Sequence, residues 1–231
     1  MIPSYAYLIG DSILLFVWLV LFALRKDLRV QMIAMSLIVA PMGPLSELFY
    51  LRDYWDPRLI GGFRLGFEDL LFAFAIGGIA AVIYEEIFMR REKRAKVSRP
   101  RHWIMGSACF ALAWMLLGVF AFHINSIYVS ISDLLAIGIA MLAVRRDLIG
   151  DAVLSGLSVC VLLFVFDFTF LHLFPGVIQA WWQLRNLSGV LIAGVPLEEL
   201  MWGFGWGFVA GPSYEFLLGL KPQPIKKWRG S

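Results

Sequence analysis

Two segments of the chain set adjacent carboxylates inside otherwise apolar runs. One is Phe67-Glu68-Asp69-Leu70-Leu71-Phe72, and the other is Pro196-Leu197-Glu198-Glu199-Leu200-Met201-Trp202. A Tyr-Glu pair follows each, Tyr84-Glu85 and Tyr214-Glu215, so that Glu68 to Glu85 and Glu198 to Glu215 are both intervals of 17 residues. Ionisable groups in membrane-length apolar segments are costly, which makes them candidates for function. Paired carboxyls suit acid–base work: a neutral acid gives a proton to a poor base, and a carboxylate removes one. Consecutive helical residues diverge by about 100°, so one member of each pair should face a chamber while the other takes a structural partner. Pro196 can start a helix just ahead of the second pair. In a first turn the helix dipole favours the charged carboxylate, whereas apolar neighbours favour the neutral acid. The competing structural reading is that these acids stabilise helix starts and pair with Arg64 or Arg185.

Further acids lie deep in apolar runs. Glu47 follows Pro41 and Pro44, which should kink its helix and free carbonyls, and Asp167 sits in Phe166-Asp167-Phe168. Both either line a cavity or satisfy freed backbone groups. Phe72, Phe74, Trp202, Phe204 and Trp206 lie on the acid-bearing helices. Their faces could stabilise a cation, and core packing would explain them equally well. Gly203, Gly205 and Gly207 are expected to allow close helix or ligand approach. Tyr84-Glu85 and Tyr214-Glu215, about 25 Å farther along a helix, are expected to be interfacial anchors. His102, His123 and His172 fit no metal-ligand spacing, and no phosphate-binding loop, nucleophile elbow or dinucleotide fingerprint is present.

The elements that must carry these residues are transmembrane. The chain has 231 residues, is 60% hydrophobic and only 16% charged, well below the charge content of soluble domains. No basic region precedes Asp11, so the N-terminal run is read as a retained span rather than a signal peptide. Cys109 and Cys160 both lie in apolar runs, which suits packing better than a disulfide. At about 20 residues per crossing, seven stretches qualify: Tyr7–Leu24, Val30–Leu51, Leu65–Phe88, Trp103–Phe122, Tyr128–Val144, Ala152–Phe174 and Leu187–Leu220. Loops on one side carry Arg25, Lys26, Arg29, the basic run between Arg90 and Arg101, Arg145, Arg146, and the tail Lys221, Lys226, Lys227 and Arg229. The other side carries only Arg52, Arg58, Arg64 and Arg185. The positive-inside rule then puts the N-terminus outside and the C-terminus in the cytoplasm of a multi-pass cell-membrane protein. Tyr54-Trp55 and Trp181-Trp182 fit an outer aromatic belt. Basic residues confined to membrane edges argue against nucleic-acid binding.

The duplication extends past the acids. Leu24-Arg25-Lys26-Asp27-Leu28 recurs as Val144-Arg145-Arg146-Asp147-Leu148, an offset of 120 that also relates Glu47 to Asp167. Trp55 and Arg58 match Trp182 and Arg185 at 127, and the carboxylate pairs match at 130. Diverged copies with small loop insertions give this drift. The expected fold is an all-α polytopic membrane protein of seven transmembrane helices, arranged as two parallel three-helix repeats with a linker helix. Residues 1–90 form the first repeat, 91–125 the basic loop and linker helix, and 126–231 the second repeat and tail. Parallel repeats about an axis along the membrane normal bring both acidic pairs to one central cavity.

The repeated set Trp182, Arg185, Pro196, Glu198, Glu199, Tyr214 and Glu215, with its counterpart in the first half, resembles the membrane-integral lycopene cyclase domain, here as a fused tandem. Pro196, Glu198 and Glu199 stand as in that family. The first copy departs from it, with Gly66 at the proline and Asp69 at the second glutamate. Leu71-Phe72 and Met201-Trp202 replace a typical Phe-Phe. The resemblance implies carotenoid biosynthesis: an isomerase that cyclises lycopene ends to β-ionone rings by protonation, ring closure and proton loss, with no redox step and no cofactor. It implies acid and base roles for Glu68, Asp69, Glu198 and Glu199, and a substrate site including Glu47, Asp167, Phe72, Trp202, Phe204 and Trp206. The implied partners are a lipophilic carotenoid reached through the bilayer and other enzymes of the same pathway. Two other classes stay open on the residues alone: a small-molecule transporter and a non-catalytic carotenoid-binding membrane protein.

Overall fold

A computed structural model of the chain describes residues 2–62, 66–94 and 102–224. Arg64, the end of the basic run (Lys96, Arg99, Arg101) and Lys226, Lys227 and Arg229 lie outside the described residues. The fold is all-helical apart from two small ribbons. In chain order the first half holds α1 (Ala6–Leu24), α2 (Arg29–Val39), α3 (Met42–Asp53), α4 (Phe67–Ala80), α5 (Ile83–Ile87) and strand β1 (Arg90–Arg94). A lone helix α6 (Trp103–Leu116) follows and continues as a wider π-helical turn to Ala121. The second half holds α7 (Ser126–Val144), α8 (Ile149–Leu173), α9 (Val177–Trp181), β2 (Leu191–Ile192), β3 (Val195–Pro196), α10 (Leu197–Leu218) and β4 (Leu220–Pro224).

Four helical stretches among the described residues are long and apolar enough to cross a membrane: Ala6–Leu24, Trp103–Ala121, Ser126–Val144 and Arg146–Leu173. A fifth arises if α2 and α3 count as one span bent by 44°. The bend falls at Pro41, which has no N–H to continue α2; Pro44 sits in the first turn of α3 and adds no second kink. The acid-bearing helices do not meet the same standard. α4 stops after 14 residues and resumes as the short α5. α10 runs 22 residues but starts only at Leu197 and includes three glutamates, glycines and Pro212. Both are packed inside the bundle, where protein rather than lipid surrounds them, so neither needs the apolarity of a lipid-facing helix. At the break after α4, the buried Gln31 amide donates to the Ala81 carbonyl at 2.6 Å and so satisfies a backbone group left open there.

The Arg-x-Asp motifs found in both halves act as clasps. Arg25 Nε and Nη2 bond both oxygens of Asp27 at 3.0 and 3.1 Å, and its Nη atoms reach the carbonyls of Glu85 and Arg90 at 2.9 and 2.7 Å. Arg145 repeats the pattern with Asp147 at 2.8 and 2.9 Å and the carbonyls of Glu215 and Leu220 at 3.4 and 2.8 Å. A planar fork suits this two-sided task, which a lysine could not perform. β1 and β4, the segments that the clasps hold, pair antiparallel with Glu92 opposite Pro222. At the other end of the bundle, Trp55 bridges Trp182 in an isolated antiparallel pair. There Asp56 N donates to Trp181 O at 2.7 Å and Gln183 N to Tyr54 O at 2.8 Å.

The most extensive helix contact is α10 on α8, and glycines set its closeness. A Cβ added at Gly203 would sit 2.8 Å from Leu163, at Gly207 2.5 Å from the Ser155 carbonyl, and at Gly211 2.3 Å from the Ser155 hydroxyl. These three lie four residues apart on one face, while Gly205 faces Leu134 on α7 instead. Gly207→Ala should therefore lower stability by about 1–3 kcal/mol through overpacking. Gly106→Ala on α6, with open space around it, should be neutral or stabilising by up to about 1 kcal/mol. Denaturant unfolding in detergent compares the two, and equal effects would contradict the packing account.

Candidate active site

The first turns of α4 and α10 carry the two acidic pairs. In each pair the two side chains part company. Glu68 Oε1 accepts the Ile60 N–H at 2.8 Å, and Glu198 Oε1 accepts the Ser188 N–H at 2.8 Å and the Tyr128 hydroxyl at 2.7 Å. Both thus tie down the loop that leads into their own helix. Their neighbours Asp69 and Glu199 turn the other way and line a common cavity. Asp69 Oδ2 also accepts the Gly66 N–H at 2.8 Å, closing the start of α4.

The cavity has a volume of about 190 Å³. Glu47 from α3 and Asp167 from α8 line it together with Asp69 and Glu199, so four acids from four helices converge. The Trp55 indole N–H donates to both Glu47 oxygens at 3.1 Å. Glu199 Oε1 accepts the Tyr54 hydroxyl and, at 2.5 Å, the Trp182 indole N–H. Asp167 Oδ2 has no hydrogen-bond partner among the described residues. Aromatic faces form the rest of the wall. Trp202 and Trp206 stack at 5.9 Å, Phe72 lies 6.4 Å from Trp202, and the Trp202 N–H bonds the Tyr50 hydroxyl at 3.2 Å. Tyr50 in turn donates to Ser130 at 2.7 Å.

Of the residues singled out from sequence, the cavity gathers Glu47, Asp69, Phe72, Asp167, Glu199, Trp202 and Trp206. Glu68 and Glu198 serve the adjacent loops. Phe204 packs over Gly156 on α8, and Phe74 lies against Trp18, both away from the cavity. Tyr54, Trp181 and Trp182 are not an outer belt. They are buried at 4%, 2% and 7% exposure and line the cavity, because the Trp55–Trp182 bridge folds their segments over its end. Tyr7, Tyr50 and Tyr54 are cavity residues that sequence reasoning missed. Glu47, Tyr50 and Tyr54 fall on one helical face, which was a usable signal. The second acid cluster also differs from expectation. Glu85 and Glu215 are fully buried rather than interfacial, and their carboxylate oxygens come within 4.8 Å of one another and of Asp151.

An apolar chamber with several carboxyls, tyrosine hydroxyls and exposed aromatic faces can protonate a weakly basic substrate and shelter the resulting cation. Fold and site together define a helical membrane protein with an acid-lined chamber inside its bundle. Residues 125–217, from α7 to α10, match the family model described as lycopene cyclase. No curated protein and no solved structure matches the chain.

Removing a loop-holding acid separates structure from chemistry. Glu198→Ala leaves the Ser188 N–H and Tyr128 hydroxyl without their acceptor and should cost about 2–3 kcal/mol of stability, in line with hydrogen bonds to charged groups. Unfolding of the purified variant checks this, and a loss below about 0.5 kcal/mol would contradict the assignment.

Proposed function

We propose that this protein is a carotenoid cyclase that converts the acyclic ends of lycopene, or of a closely related carotenoid, into β-ionone rings. The convergence of Glu47, Asp69, Asp167 and Glu199 on one apolar, aromatic-walled cavity carries the reading, and the lycopene cyclase match across the second half supports it. A cavity of about 190 Å³ is smaller than the ~300–1,000 Å³ of sites that enclose a whole drug-sized ligand. It suits one end of a long polyene whose remainder lies in lipid. A carboxylic acid of the chamber protonates the terminal alkene to give a tertiary cation. The neighbouring double bond closes the six-membered ring, and a chamber carboxylate removes a ring proton. Mass is unchanged, so the reaction is an isomerisation. Phe72, Trp202 and Trp206 hold the cation against their faces while the closed bundle keeps water from trapping it.

The same reading treats the chain as two three-helix units joined by α6, crossing the membrane seven times with the N-terminus outside. Three matched features support it: the paired Arg25 and Arg145 clasps, the loop bonds of Glu68 and Glu198, and the reciprocal bonds of the Trp55–Trp182 bridge. Production of the chain in lycopene-accumulating cells tests the function. Cyclised carotenoid of unchanged mass is expected from the wild type, with Glu199→Gln reducing the β-ring product on the order of 10²-fold or more. Unaltered lycopene beside well-expressed, membrane-inserted wild type would overturn the proposal.

A further inference from the structure

The four chamber acids are not equivalent, and their hydrogen-bond donors sort them. Glu47 takes the Trp55 N–H on both oxygens. Asp69 takes the Gly66 N–H and lies beside the Tyr7 hydroxyl. Glu199 takes two donors on a single oxygen, from Tyr54 and Trp182. Donors directed at a carboxylate stabilise its charge. Asp167 is different: it is only 5% exposed, its Oδ2, like Asp69 Oδ1, is buried without a partner, and unlike the other three acids it accepts no donor on either oxygen among the described residues. A buried anionic oxygen without a donor is expensive, whereas the same oxygen bearing a proton can direct it into the cavity that it lines.

Asp167 and Glu199 are also neighbours by construction. α8 and α10 run antiparallel, with successive contacts of Gly211 on Ser155, Gly207 on Val159 and Gly203 on Leu163. One further turn along this ladder sets Glu199 opposite Asp167, and both carboxyls line the cavity. Two carboxyls so placed do not both ionise readily and hold one proton between them. Glu47 and Asp69, the corresponding pair in the first half, each have a donor and lack this asymmetry.

We infer that Asp167 is the acid that protonates the substrate alkene and that Glu199, which accepts hydrogen bonds from Tyr54 and Trp182, is the base that removes the ring proton. This rests on the cyclase reading. The Asp167 O–H bond breaks as a new C–H bond forms from the terminal alkene's π pair. The neighbouring π pair makes the ring C–C bond and moves the cation into the ring. Glu199 takes the adjacent ring proton, and that C–H pair becomes the ring double bond. Asp167 is now a carboxylate and Glu199 an acid; once the product leaves, Glu199 gives its proton to solvent and Asp167 takes one from solvent, which restores the starting state. No oxidant or reductant enters.

The two roles give different failures. With purified protein and lycopene, Asp167→Asn should return lycopene unchanged, with turnover reduced on the order of 10²–10⁴-fold, and Asp167→Glu should recover part of it. Glu199→Gln should still form the cation but not discharge it correctly. Its signature is diverted product, either a water-trapped alcohol of mass greater by one water or a ring isomer with a displaced double bond. Lycopene retained on each variant during purification, with an unchanged elution profile, establishes a folded chamber. Near-wild-type cyclisation by Asp167→Asn would overturn the inference. So would the reverse pattern, diverted products from Asp167→Asn and inert lycopene from Glu199→Gln. Failure of the wild type to cyclise would instead remove the cyclase reading beneath it.

Discussion

The close approach of α10 to α8 is the constraint from which the chamber follows. Gly203, Gly207 and Gly211 present no side chains to α8, so the helices meet nearly backbone to backbone. Such contact is favourable inside a membrane, where apolar burial gives helices little reason to associate and tight packing must supply it. The geometry has a consequence at the end of the ladder. Where the small residues stop, the next positions on the two facing stripes are Glu199 and Asp167, and Trp202 and Trp206 turn towards the cavity from the adjoining face. A wider helix pair would separate the carboxyls and admit lipid or water between them.

The need to satisfy buried polar groups then shapes the rest. Glu68 and Glu198 each hold the backbone of a preceding loop, which fixes where α4 and α10 begin. Fixing those starts aims the next residue, Asp69 or Glu199, into the cavity, since adjacent side chains diverge by about 100°. Arg25 and Arg145 secure α5 and the last turn of α10 by bonding the carbonyls of Glu85 and Glu215. The paired acids are therefore a division of labour: the first of each pair supports the scaffold, and the second faces the space where chemistry can occur.

Much of this was legible in the sequence because it rests on short-range patterns. The adjacent acids marked the first turns of α4 and α10, and helical geometry required that only one acid of each pair face inward. The cavity wall was harder to see. Tyr54, Trp181 and Trp182 have the composition of an interfacial belt, and only the long-range bridge between Trp55 and Trp182 turns them inward. Likewise, Tyr84-Glu85 and Tyr214-Glu215 had the spacing of membrane-edge anchors, but α5, α8 and α10 pack around Glu85, Asp151 and Glu215 and bury all three. Span counting was weakest for α4 and α10. Helices enclosed by other helices escape the hydropathy that lipid imposes, so they carry glycines and acids that a lipid-facing span could not.

The central claim is that a chamber carboxyl delivers a proton to carbon. Its most direct test is cyclisation of lycopene by the purified protein in D₂O, followed by mass spectrometry and assignment of the label. The account predicts one solvent-derived deuterium on carbon in each newly closed ring and none in the recovered lycopene. Cyclised product without solvent deuterium would contradict it.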